Sequence, residues 1–146
     1  VNDPIVVGGH TRIRPFNTSV TYPEQQLDND LCQAVRAGNT IYVRGQIGQD
    51  LETHESVGIG NVEVQANQAM ANIAMLIEEA GGTIEHLVKL TIYLVDPRYR
   101  EVVYRAIGRA TKGVHPISTG VVISALARPE WLVEIDAIAV VPEASA

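Results

Sequence analysis

The chain has 146 residues, of which 46% are hydrophobic and 19% charged, and its formal net charge is −6. That length suits one domain with a real core, and the apolar content is too high for a disordered chain. The negative balance argues against binding to nucleic acid or to anionic membrane surfaces, both of which call for a cationic face.

The single cysteine, Cys32, cannot form an internal disulfide, so nothing requires an oxidising compartment. The numbered chain opens Val1-Asn2-Asp3-Pro4 with neither a basic start nor an apolar signal core. Its longest apolar stretch, Ala69 to Ile77, is interrupted by Asn72 and is far too short for a bilayer. A cytoplasmic protein is the expectation.

In residues 1–30, Pro4, Pro15 and Pro23 lie among polar side chains with one short apolar patch, Ile5 to Val7. This reads as an arm or loop able to contribute an edge strand. Cys32 to Val35 and Thr40 to Ile47 then flank Arg36-Ala37-Gly38-Asn39, a hairpin signal because Gly and Asn tolerate positive φ. Strict alternation places Ile41, Val43 and Ile47 on one face of the second strand, and Tyr42, Arg44 and Gln46 on the other.

Val62, Ala66, Ala69, Met70, Ile73, Leu76, Ile77 and Ala80 recur at helical spacing. Asn61 is placed to cap this helix and Gly81-Gly82 to end it. Val88, Leu90, Ile92 and Leu94 alternate with Lys89, Thr91 and Tyr93 as a half-buried strand does. Asp96-Pro97 starts a second helix with the stripe Tyr99, Val102, Val103, Ala106, Ile107 and Ala110. Strands at about Ile117 to Ser124 and Trp131 to Val141 complete a domain over residues 31–142, and residues 143–146 form a small polar tail.

The predicted order is β-β-α-β-α-β-β, a mixed sheet with two helices on one face. In the last strand Leu132, Ile138 and Val140 oppose Val133, Ile135, Ala137 and Ala139, so both faces are largely apolar. No third helix is available to cover the second face, and another subunit is the simplest cover.

Glu134 and Asp136, two apart on that strand, point to the same face. A carboxylate among Leu132, Ile138 and Val140 loses hydration, which raises its pKa and suits it to general acid or base work. A pair of interface acids satisfied by basic groups across a boundary is the other reading. His10, His54, His86 and His115 are scattered without ligand spacing, so no metal is expected. Gly58-Ile59-Gly60 lacks the third glycine of a phosphate loop and reads as a flexible turn. Phe16 and Trp131 are too few to stack nucleic-acid bases.

The run Gln33-Ala34-Val35-Arg36-Ala37-Gly38-Asn39-Thr40-Ile41-Tyr42-Val43-Arg44-Gly45-Gln46 resembles the hairpin of the RidA (YjgF) family, which typically ends in Ser-Gly-Gln. Val88 to Asp96 is similar to that family's central strand, and Val133-Glu134-Ile135-Asp136-Ala137-Ile138-Ala139 to its closing acidic strand. The resemblance implies a chorismate-mutase-like α+β fold, a homotrimer, and small-molecule clefts between subunits. It also implies cofactor-independent hydrolysis of 2-imino acids, or their enamine tautomers, to 2-keto acids and ammonia.

In that family a guanidinium clamps the substrate carboxylate and a closing-strand carboxyl positions water. Asp136 stands where the family usually has Glu, and Ser118 where its active form has the clamping Arg. Gly120 replaces a frequent Cys, Leu31 a frequent Tyr, and Glu101 a common Asn. The resemblance thus makes Asp136 the catalytic candidate and Arg44, Gln46, Ser118, Gly120 and Glu134 the substrate-binding ones. Arg44, replacing a small Ser, is the candidate for the missing cation, or else a salt-bridge partner of Glu134 or Asp136.

Three functions follow in order: a divergent imine or enamine deaminase, a non-catalytic trimer binding a small molecule or partner, and an RNA-cleaving or translation-inhibiting protein. The acidic balance and the absence of a His or Lys cluster disfavour the third.

Overall fold

The structure, a computed structural model, describes residues 3–143. It begins with two paired strands, β1 (Ile5–Val7) and β2 (His10–Asn17), joined through Gly8 and Gly9 at φ 62° and 81°. A type I′ hairpin turn needs positive φ at both central positions, which glycine adopts without steric cost. The reading of residues 1–30 as an arm with an edge strand therefore needs correction. Only β1 is an edge; β2 lies inside the sheet, paired with β3 (Asp30–Ala37) from Thr11↔Arg36 to Asn17↔Asp30.

Ile13 of β2 is buried in the main core. The strand was hidden because Arg12 and Arg14 flank that single apolar anchor and Pro15 interrupts the run. Pro15 is tolerated where β1, which reaches only to Arg12, no longer runs alongside. After β2 come a short helix α1 (Thr18–Thr21), capped by the Asn17 side chain, and a 3-10 turn at Pro23–Gln25. Residues 1–2 of the expected arm and 144–146 of the expected tail lie outside the described residues.

From residue 30 onward the order is the one predicted. β3 turns through Gly38, at φ 62°, into β4 (Thr40–Gln46). Helix α2 (Val62–Glu79) starts where Asn61 accepts the Val64 N–H at 3.1 Å. It ends where Gly81, at φ 92°, lets the Gly82 N–H reach the Ile77 carbonyl at 2.9 Å. β5 (Leu87–Leu94) follows. Asp96 and Pro97 start a 3-10 turn, Pro97–Tyr99, which feeds α3 (Arg100–Ala110). β6 (Ile117–Val122) runs parallel to β5, and β7 (Val133–Val140) lies antiparallel between β4 and β5.

The sheet order is β1-β2-β3-β4-β7-β5-β6. α2 and α3 pack on each other and on one face of this α+β sheet. That face of β7, formed by Val133, Ile135, Ala137 and Ala139, is at most 1% exposed and meets Leu90, Ile92 and Leu94 of β5 in register. Each large aliphatic side chain so buried contributes about 1.5–3 kcal/mol. The opposite face carries neither α2 nor α3. Tyr42 is 51% exposed there, and Ile117 67%. No helix among the described residues is long and apolar enough to cross a membrane.

One irregularity positions the site. β4 and β7 pair in step from Thr40↔Val140 to Val43↔Ala137, but the next pair is Gln46↔Ile135, one residue out of step. The extra residue is a β-bulge, and it reverses the alternation beyond it. Ile47 consequently leaves the face of Ile41 and Val43, where strict alternation had placed it. It packs in a second cluster with Tyr22 and Trp131.

Candidate functional site

The bulge presents Arg44 and Gly45 together to the open face, beside Glu134 of β7. A Cβ at Gly45 would lie 2.7 Å from Cδ of Glu134 and 2.9 Å from its Cγ, so any larger residue would displace that side chain. The absence of a side chain opens a cavity of about 170 Å³, whose walls include Tyr22, Leu27, Leu31, Ile47 and Trp131 with Arg44 and Glu134 at its polar end.

Arg44 stacks 5.2 Å from the ring centre of Phe16 and 5.8 Å from that of Tyr22. Among the described residues it makes no ion-pair contact with Glu134 or Asp136, so the salt bridge weighed from the sequence is not formed within this chain. Arg128 covers the rings of Trp131 and Tyr22 at 4.8 and 5.9 Å and pairs with Glu24 of the 3-10 turn. These contacts hold the α1 segment over the cavity.

The two acids differ in environment. Burial pushes the Glu134 carboxyl above the ordinary carboxylate range; nearby Arg44 pulls it back and Asp136 pushes it further up. Asp136 accepts a hydrogen bond from the Tyr93 hydroxyl at 3.0 Å, which raises the phenol's pKa. Register explains the triad: Thr91↔Asp136 and Tyr93↔Glu134 are neighbours on β5 and β7, so all three side chains share the open face.

The other predicted residues lie elsewhere. Gln46, shifted by the bulge, is 2% exposed and donates its amide to Gln33 Oε1 at 3.1 Å and to the Arg44 carbonyl at 2.9 Å. It does not share a face with Arg44. Ser118 and Gly120 pair with Leu90 and Ile92, placing them on the helix-bearing side of the β6 edge. There Ser118 Oγ lies 3.4 Å from the Tyr104 hydroxyl of α3. Within one chain, then, Arg44, Glu134 and Asp136 come together, while Ser118 and Gly120 are across the sheet from them. Glu101 turns to solvent on α3, near Arg105 at 3.9 Å.

A larger hollow of about 500 Å³, between β2 and the loop at His54, contains Arg14, Phe16 and Gln33. Its walls include neither Glu134 nor Asp136, and Arg14 within it is already neutralised by Glu52 and Glu79 at 2.9 and 3.0 Å.

Residues 24–141 match the protein family described as Endoribonuclease L-PSP. A RutC family protein of Synechocystis is 36% identical over 111 residues, covering 75% of this chain and 85% of that protein. The YjgF/RidA family is this chain's family. A Mus musculus protein named 2-iminobutanoate/2-iminopropanoate deaminase is 35% identical over 108 residues, covering 74% of this chain and 78% of its own. The crystal structure of RidA from Psychrobacter superposes with a TM-score of 0.70 at 33% identity, covering 75% of this chain and 87% of that one.

The family-model match begins at residue 24, so Tyr22, one aromatic wall of the cavity, lies just ahead of it. Sequence reasoning missed Tyr22, Tyr93 and Trp131 as site residues. Tyr93 was within reach of the alternation argument, since it shares a face with Thr91. Tyr22 was not, because its segment carries no periodicity at all.

Proposed function

We propose that this YjgF/RidA protein hydrolyses small imines or enamines to carbonyl compounds and ammonia, without a cofactor. The supporting observation is the acid pair on one strand face, with Glu134 lining a small cavity and Asp136 hydrogen-bonded by Tyr93. Relatives named 2-iminobutanoate/2-iminopropanoate deaminase support the same reading.

Two carboxyl groups in different environments can divide the acid and base roles. Asp136, as carboxylate, takes a proton from water as its oxygen adds to the imine carbon. Glu134, which burial disposes to hold its proton, gives that proton to the nitrogen. Collapse of the carbinolamine then releases ammonia and leaves the carbonyl product. A cavity of about 170 Å³ suits a substrate of few heavy atoms. It is too small for a nucleotide strand, and the net charge of −6 also weighs against the RNA-cleaving reading.

The working unit is a homotrimer in which the exposed face of one copy meets the β6 and α3 edge of the next. The exposed Tyr42 and Ile117 support a covered face, and the opposite placement of Glu134 and Ser118 within one chain supports a shared cleft.

Ammonia release from enzymatically generated 2-imino acids tests the reaction. Wild-type turnover should fall at least about a hundredfold in Asp136→Asn and in Glu134→Gln. Ligand binding without ammonia release from any imino acid would replace hydrolysis with the non-catalytic reading.

A further inference from the structure

We propose that Arg100, braced by Tyr104 and set against the side-chain-free Gly120, forms a binding site for the carboxylate of a small organic acid. It lies at the edge formed by β6 and α3. The proposal deepens the hydrolase reading, and rests on it only for the identity of the acid as substrate.

Arginines along this segment are otherwise neutralised. Arg98 pairs with Asp96 at 2.6 Å, Arg105 lies 3.9 Å from Glu101, and Arg109 lies 3.5 Å from Glu63. Arg100 has no carboxylate within ion-pair distance among the described residues. Its contacts are the Tyr104 ring, 4.7 Å from ring centre to guanidinium carbon, and the Gly120 carbonyl at 3.5 Å. A guanidinium lying on an aromatic ring is oriented in advance, so little rotamer freedom is lost when it takes a ligand.

Gly120 makes the room. A Cβ at that position would lie 2.6 Å from the Tyr104 hydroxyl and 2.9 Å from Arg100 Nη1. The space such a side chain would fill is occupied by the donor ends of these two residues. Ser118 Oγ, 3.4 Å from the Tyr104 hydroxyl, adds another hydroxyl to the same patch. A forked cation beside two hydroxyls matches a carboxylate, which accepts two parallel N–H bonds and further O–H bonds.

Arg44, the cation expected from the sequence, is placed differently. It sits on the opposite face of the sheet, beside Glu134, where its charge offsets part of what burial does to that carboxyl. Assigning the substrate carboxylate to Arg100 lets Arg44 keep that role. It also puts the two ends of the substrate against two copies of the chain.

Calorimetric titration with 2-oxobutanoate, and separately with the neutral 2-oxobutanamide, tests the assignment on the full chain. Arg100→Ala should weaken 2-oxobutanoate about ten- to hundredfold while leaving the amide unchanged. Gly120→Ala, which keeps every charge but displaces both donor ends, should weaken the acid in the same selective way. Thermal melting should be unaltered in Arg100→Ala because the side chain is exposed. No binding of the acid by wild type, or loss of acid binding in Arg44→Ala but not in Arg100→Ala, overturns the proposal. Ammonia release undiminished in Arg100→Ala overturns it and leaves hydrolysis standing. Arg100-dependent binding without ammonia release does the reverse.

Discussion

Gln65 ties the N-terminal end of α2 to the loop that carries Trp131, and its replacement by leucine has a calculable cost. The side chain is 1% exposed. Its amide donates to the carbonyls of Gly58 at 3.0 Å and Glu130 at 2.9 Å, and its oxygen accepts the Leu132 N–H at 2.9 Å. Leucine fills nearly the same volume and can make none of these bonds. At about 1 kcal/mol for each hydrogen bond lost, Gln65→Leu should cost about 3 kcal/mol. With a urea dependence of about 2 kcal/mol per molar, the unfolding midpoint should fall by about 1.5 M. Trp131 is the sole tryptophan and sits between two of the bonded residues, so its fluorescence reads the loop directly while far-ultraviolet circular dichroism reads the whole fold. A cost below about 1 kcal/mol would refute the reasoning, since it would mean that water or a neighbour serves these backbone groups equally well.

Glu134 carries a pH signature. Its carboxyl titrates above the ordinary value of 4.5 in the fold, so the native state holds that proton more tightly than the unfolded chain does. The resulting stability is fully present below that value and is lost as pH rises through the folded pKa. Melting temperature should therefore decline less between about pH 4 and pH 8 in Glu134→Gln than in wild type; an equal or steeper decline would contradict the burial argument. Gly45→Ala, whose new methyl meets the Glu134 side chain, should cost about 1–3 kcal/mol by melting, and most of that cost should vanish on a Glu134→Ala background. Additive costs in the double variant would mean that the methyl collides with something else.

Periodic segments were legible. The stripe from Val62 to Ala80 becomes α2 with the caps that Asn61 and Gly81 predict, and the alternation from Val88 to Leu94 becomes β5. Glu134 and Asp136 share a face as their spacing requires. What failed was whatever depended on a break in period. β2 has one buried anchor, Ile13, among charges and a proline, so no pattern distinguishes it from an arm. The bulge at Arg44 and Gly45 leaves no mark in a single sequence, and it alone separates Gln46 from Arg44. The division of the expected site between two sides of the sheet was equally hidden, because it follows from parallel pairing of β6 with β5 rather than from any local spacing.

The bulge also sets a rule for insertions and deletions. Removing one residue between Val43 and Gln46 would restore an unbroken ladder and leave the rest of the strand as it is, because Gln46 would still pair with Ile135. Gln46 would keep its bond with Gln33 and Ile47 its place against Tyr22 and Trp131, but Arg44 and Gly45 could no longer both line the cavity. A gap of one in this stretch, in any aligned pair of sequences, therefore signals a rebuilt cavity wall rather than a shortened loop.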